Sequence, residues 1–318
     1  MPAETPRTRL EQLPLPLFAA VMGLCGLAMV WRQVEQAWQL PAVISTSATA
    51  LAAAVFVVLL LAFALKSVRH WTLVASELRH PVRINFLPAI SINLMLLALL
   101  TADALPGLSS LLWKVGAGLH LLLTLVIVTI WLETERPLPS LNPAWFIPAV
   151  GNVLVPLVAV PDGYPMVGWF FMAIGLFFWG MLVTLVFFRL VTGPELEPPM
   201  RPTLVVLLAP PAVSYLSWLA LTGETGIVAT MLYQIALFTF LLLLLQIPRF
   251  IRLAFFPSWW AYTFPLAAFT SASFVAAGSQ PGPTPQALLA ILATLTTLII
   301  ALVAVRTLVA VVQRRIEP

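Results

Sequence analysis

Apolar and polar positions in this chain do not alternate with the period of a half-buried helix or strand. They come in blocks. Runs of about 17–25 mostly apolar residues, the length that crosses a bilayer as α-helix, recur from one end to the other. Ten of them are predicted as membrane spans: 13–32, 41–65, 84–102, 111–132, 144–160, 166–190, 203–222, 226–246, 259–277 and 285–312. The connections are short and leave no room for a soluble domain, so 1–318 reads as a single transmembrane domain. The leading "MPAETPRTRLEQ" is polar and brief, and the first apolar run carries no small-residue cleavage site followed by a soluble chain. It reads as a first span rather than a removed signal peptide.

Prolines add a second pattern. Each odd-numbered span has one in its first turns: Pro16, Pro88, Pro148, Pro211 and Pro265. The even-numbered spans have none in their interiors. Three residues past each of these prolines stands a small residue: Ala19, Ser91, Gly151, Ser214 and Ala268. Small residues also permit close helix packing, which accounts for any one position more readily than for the set. The repeat predicts five copies of a two-helix hairpin, each led by a proline-bent helix. Proline removes an N–H and loosens the helical ladder, and in lipid such backbone is tolerated where it is buried or lines a cavity. The expected architecture is therefore all-α: an inner ring of five odd helices around a central pore, and an outer ring of even helices.

Composition and charge fit this picture. The chain is 61% hydrophobic and 9% charged, with a mean hydropathy of +1.02, far from the surface chemistry of a soluble domain. Its net charge of +4 could suggest nucleic acid, but the distribution of the 16 basic residues argues for topology instead. Arg7, Arg9, Lys66, Arg69, Arg79, Arg83, Arg136, Arg189, Arg201, Arg249, Arg252, Arg306, Arg314 and Arg315 fall on one predicted side, and only Arg32 and Lys114 on the other. By the positive-inside rule both termini are expected in the cytoplasm, with lipid rather than nucleic acid as the surrounding partner. The one cysteine, Cys25, lies inside the first span and has no intramolecular disulfide partner.

Candidate chemistry is sparse. Asp103, Asp162 and Glu224 fall in external connections, and Glu77, Glu133, Glu135, Glu195 and Glu197 at cytoplasmic ends. Ion-coupled carriers usually keep an ionisable group within the membrane, so this placement weakens a coupled-carrier reading. His120, near the middle of the fourth span, reads as a hydrogen-bonded packing residue in preference to a proton relay. No metal-ligand spacing, phosphate loop or nucleophile–base pattern occurs, so no enzyme, metal or cofactor is expected. The odd spans carry uncharged polar residues instead: Asn85, Ser91, Asn93, Asn152, Ser214, Ser217, Thr263, Thr270, Ser271 and Ser273. They suit either donors to an anion or interhelical hydrogen bonds. Without a fixed charge in mid-pore, ion dehydration would set the barrier and weakly hydrated anions would pass best.

The stretches "PLFAAVMGLCGLAMVW", "HPVRINFLPAISIN", "NPAWFIPAVGNVLVP", "RPTLVVLLAPPAVSYLSW" and "SWWAYTFPLAAFTSAS" resemble the tellurite-resistance/dicarboxylate transporter family. That family includes bacterial TehA and the plant slow-type anion channels. The resemblance runs through all five odd spans and implies ten helices in five quasi-symmetric hairpins around a pore, assembled as trimers. It also implies that Phe264, in "TFP", plugs the pore; without it, Phe264 reads as ordinary aromatic packing. Trp259, Trp260 and Tyr262 read as interfacial anchors. The helix-bend and pore-lining candidates are Pro16, Ala19, Gly23, Pro88, Ser91, Pro148, Gly151, Asn152, Pro211, Ser214, Pro265 and Ala268. The expectation is a passive channel for small monovalent anions in a bacterial inner membrane, linked to tellurite resistance. The alternative is a secondary carrier for C4-dicarboxylates or sulfite.

Overall fold

The structure, a computed structural model, describes residues 10–11, 13–135, 137–278 and 282–313. Of the basic residues that set the predicted orientation, Arg7, Arg9, Arg136, Arg314 and Arg315 lie outside the described residues. The described residues form helices and connections only, in the order α1 (Phe18–Ala37), α2 (Val43–Arg69), α3 (Trp71–Arg79), α4 (Ala89–Thr101), α5 (Pro106–Glu133), α6 (Phe146–Val150), α7 (Pro156–Ala159), α8 (Pro165–Thr192), α9 (Ala209–Thr222), α10 (Ile227–Leu244), α11 (Ile247–Phe250), α12 (Thr263–Ala277) and α13 (Pro283–Val312).

Every odd segment enters through a 3₁₀ turn before the α-helix proper: Leu15–Leu17, Arg83–Phe86, Pro143–Trp145, Pro198–Leu208 and Pro257–Tyr262. The prolines explain this. Pro88 is the N-cap of α4, while Pro148, Pro211 and Pro265 are third residues of α6, α9 and α12. The first four N–H groups of an α-helix have no intrahelical acceptor, so a proline there forfeits nothing, whereas one turn later it would break a bond. The prolines therefore mark the junction from 3₁₀ to α; they do not kink helices in mid-course.

Eight helical stretches among the described residues are long and apolar enough to cross a membrane. The fifth and ninth predicted spans differ. The fifth is the shorter run Pro143–Ala159, interrupted by a 3₁₀ turn at Gly151–Leu154 and restarted at Pro156. The ninth is the turn Pro257–Tyr262 leading into the 15-residue α12. The short amphipathic α3, in the connection after the second span, was not anticipated from the sequence.

Packing separates two rings. α1 packs on α4, α4 on Gly151–Leu154 and α7, these on α9, α9 on α12, and α12 back on α1, so the odd segments close a circle. Each even helix packs outside its own partner: α2 on α1, α5 on α4, α8 on the fifth segment, α10 on α9, and α13 on α12. Burial follows. In the most apolar windows of the first, third and seventh segments 61%, 72% and 50% of positions are buried, against 22–28% in the five even helices. Outward residues such as Val58, Leu61, Leu125, Phe177, Phe238 and Leu298 form an apolar belt suited to hydrocarbon. The chain is a polytopic, all-helical membrane protein.

The two basic residues on the sparse side are both committed. Arg32 donates to the carbonyls of Leu99 and Leu100 at the C-terminal end of α4 and lies 3.6 Å from Asp103. Lys114 Nζ lies 3.2 Å from Asp162 and 4.8 Å from the Tyr164 ring centroid. Hydrogen bonds from Ser110 and Trp113, with the charge of Lys114, hold the Asp162 carboxyl below the usual carboxylate range. Glu35, which the sequence reading passed over, is buried and accepts from the backbone N–H groups of Ile44 (2.8 Å) and Ser45 (3.0 Å). It caps α2 from the end of α1, locking the first hairpin.

Candidate pore

A cavity of about 80 Å³ lies inside the ring, and every residue lining it comes from an odd segment. α1 contributes Ala19 and Met22; the third segment Phe86 and Ile92; the fifth segment Phe146, Val150, Gly151 and Leu154, among others. The seventh segment adds Thr203, Val206, Ala209 and Val213; the ninth adds Trp260, Phe264 and Pro265. Among the described residues, no lining side chain is ionisable. Two carry a polar atom, and both are spent: Thr203 Oγ1 donates to the Met200 carbonyl (2.6 Å), and Trp260 Nε1 to Thr307 Oγ1 (2.9 Å). The wall is hydrocarbon and aromatic ring.

Phe264 is the second residue of α12, directly after the last 3₁₀ turn, and is only 6% exposed. Of the other predicted site residues, Ala19, Gly151 and Pro265 line this cavity. Pro16 lines a second, larger space described below. The rest sit elsewhere. Gly23 faces Thr263 and Trp260, and Ala268 is buried in α12. Pro88 and Pro148 offer their carbonyls to Ser91 Oγ (2.8 Å) and Thr124 Oγ1 (2.7 Å), and Pro211 is buried in α9. Ser91 Oγ is also 2.8 Å from His120 Nδ1. Asn152 Nδ2 donates to Thr124 Oγ1 (3.1 Å) and the Ala149 carbonyl (2.8 Å). Ser214 is fully buried and its Oγ has no partner among the described residues.

Ser271 Oγ is likewise buried without a partner among the described residues, whereas other uncharged polar groups of the odd spans bond neighbouring segments. Asn93 donates to the Phe18 carbonyl, Ser217 to the Val153 carbonyl, and Thr270 pairs with Thr296 at 2.8 Å. None of them lines the cavity. They tie helices together, because a buried polar group without a partner is costly in hydrocarbon surroundings. His120 likewise packs: its Nδ1 meets Ser91, and its ring edge fills the space behind Gly151, where a Cβ would stand 2.7 Å from Nε2.

At the end where the five 3₁₀ turns gather, a vestibule of about 780 Å³ opens. All five odd segments reach it, through Pro14 and Pro16, Arg83 and Phe86, Ser140 and Asn142, Pro194–Met200, and Phe256–Ser258. Phe86 lines both spaces, so the vestibule and the cavity adjoin at that ring. Sequence reasoning missed this vestibule and most of the cavity wall, including Met22, Phe146, Val150 and Val213. The signal was present in the prolines clustered before each odd span.

The sequence model of the SLAC1 family, described as a voltage-dependent anion channel, matches residues 12–308. The chain belongs to the SLAC1 family. Relatives include the S-type anion channel SLAH2 of Arabidopsis thaliana, 27% identical over 97% of this chain and 61% of its own length. The guard cell S-type anion channel SLAC1 of the same plant is 25% identical over 97% of this chain and 57% of its own. The tellurite resistance protein TehA homolog of Haemophilus influenzae is 26% identical over 82% of this chain and 80% of its own. This SLAC1-family chain spans about three-fifths of the length of SLAH2 and of the guard cell channel SLAC1.

Proposed function

We propose that the chain is a passive anion channel that conducts small monovalent anions such as chloride and nitrate through the central cavity, with Phe264 as its gate. The observation that carries this reading is the cavity itself: five segments converge on it, no lining group is charged, and both polar side-chain atoms in its wall are already bonded. An ion crossing such a wall loses its hydration with little in return, so the barrier follows the cost of dehydration. Nitrate, more weakly hydrated, should pass better than chloride. The basic residues at the mouth raise the local anion concentration. In this reading the protein sits in the inner membrane of a bacterium with both termini cytoplasmic, assembles as a homotrimer, and affects tellurite resistance through its permeability.

The test is chloride and nitrate current through purified protein in planar bilayers, wild type beside Phe264→Ala. A nearly silent wild type with a strongly conducting variant supports a pore closed by that ring. Silence from both, together with gradient-driven uptake of a C4-dicarboxylate or sulfite into liposomes, would replace the channel with a secondary carrier.

A further inference from the structure

The vestibule holds an arginine whose position the pore alone does not explain. Arg189, near the end of α8, is 3% exposed and makes no ion pair among the described residues. Its Nη1 donates to the Pro194 carbonyl at 2.7 Å. Its Nε is buried without a partner, and Nη2 makes no hydrogen bond among the described residues. Nε and Nη2 form the side of the guanidinium that takes an oxyanion through two parallel N–H bonds. That edge belongs to a residue lining the vestibule. A buried cationic donor left unsatisfied is expensive, so a complementary group is expected against it.

The surroundings favour an anion at depth. Arg83 lines the same space, as does His80. Two carboxylates also line it, but Glu195 and Glu197 are exposed at the rim, and Glu195 is paired with Arg201 at 3.0 Å. Arg189 is therefore buried and Arg83 partly buried, while the acids are solvated. We propose that the vestibule is a binding site for a divalent oxyanion of the sulfate or phosphate type, held side-on by Arg189 with Arg83 supplying the second charge. Chloride can accept from both N–H groups, but only through one atom and with a single charge, so it is the weaker occupant beside an oxyanion that offers one oxygen to each donor. Because Phe86 lines both spaces, an oxyanion bound here lies in the space adjoining the cavity.

The experiment is equilibrium binding of radiolabelled sulfate to the purified protein in detergent, with ionic strength held constant by chloride. The expected result is saturable binding, displaced by inorganic phosphate and not by equimolar chloride. Arg189→Gln should weaken it at least about tenfold, and Arg189→Lys nearly as much, because an ammonium cannot supply the paired bonds. Arg83→Gln should weaken it several-fold. Size-exclusion chromatography checks folding; if Arg189→Gln fails it, Arg189→Lys and Arg83→Gln decide the matter. Absent saturable binding, equal displacement by chloride, or unchanged affinity in the folded variants would each overturn the site. No flux is measured, so the result is independent of whether the channel conducts.

Discussion

The hydroxyl of Thr263 occupies the space that a side chain at Gly23 would need. A Cβ built on Gly23 would stand 2.3 Å from Thr263 Oγ1 and 3.0 Å from the Trp260 ring. Thr263 is held in place by donating to the Trp260 carbonyl at 2.7 Å, and Phe264 follows it in sequence. The contact therefore fixes α12 against α1 at the level of the proposed gate. Gly23→Ala should force the two segments apart and destabilise the fold by about 1–3 kcal/mol, the usual range for overpacking. Thermal unfolding in detergent reads this, and an unchanged midpoint would show that the interface absorbs the methyl.

Five residues along α12, Phe269 has a different environment. It is 1% exposed and stacks on Phe240 at 4.6 Å and Tyr233 at 6.2 Å, both on the outer helix α10. Phe269→Ala should cost about 3–5 kcal/mol of stability through the cavity it leaves. Its effect on anion current should be small beside that of Phe264→Ala. Equal current gains from the two would remove the specific gate role from Phe264.

Lys66 and Glu77 form a buried pair, 2.6 Å apart, and Lys66 also donates to the Leu13 carbonyl at 2.7 Å. The pair thus pins α2, α3 and the chain just before the first 3₁₀ turn. Removing one partner strands the other charge, so Lys66→Met should cost about 3–5 kcal/mol. Adding Glu77→Leu should recover much of that loss. A double variant no more stable than the single one would count against this account.

His80 sits at the vestibule and accepts through Nδ1 from the backbone N–H groups of Val82 (3.2 Å) and Arg83 (3.3 Å). Burial and the nearby Arg83 charge hold its pKa below the ordinary imidazole value. The sign follows: the folded state disfavours the charged ring, so this stability is complete above the unfolded value of about 6.5 and is lost as pH falls through it. His80→Asn keeps an acceptor near Nδ1 without titrating. Its unfolding midpoint should fall less steeply than wild type between about pH 8 and pH 5. Parallel slopes would mean that other groups carry the dependence.

Particular residues show how far the sequence could be read. Pro16, Pro88, Pro148, Pro211 and Pro265 marked the five odd segments because proline at a helix start follows a local rule, independent of neighbours. Arg32 looked like an exception to the charge pattern; only the fold shows that it ends α4 at Leu99 and Leu100. Ser91 and Asn152 were candidates for the pore wall, yet the structure sets them against His120 and Thr124 on α5. A polar residue on an inner helix can face the bore or a neighbouring helix. Spacing does not distinguish the two, since the difference is a rotation about the helix axis.

By itself, the sequence determined the membrane class, the helical hairpins, the inner and outer rings, and the family. These rest on block hydrophobicity and proline position, which act locally and through the solvent: hydrocarbon demands internally satisfied backbone, and only apolar runs can sit in it. Tertiary structure alone decided the rest: that the cavity wall is apolar, that inner-helix polar groups such as Asn93, Asn152 and Thr270 bond neighbouring segments and do not line it, and that Arg189, beside the vestibule, keeps an Nε with no partner among the described residues. Those outcomes depend on how each helix is rotated against neighbours distant in sequence, and that rotation is set by close packing such as Gly23 on Thr263.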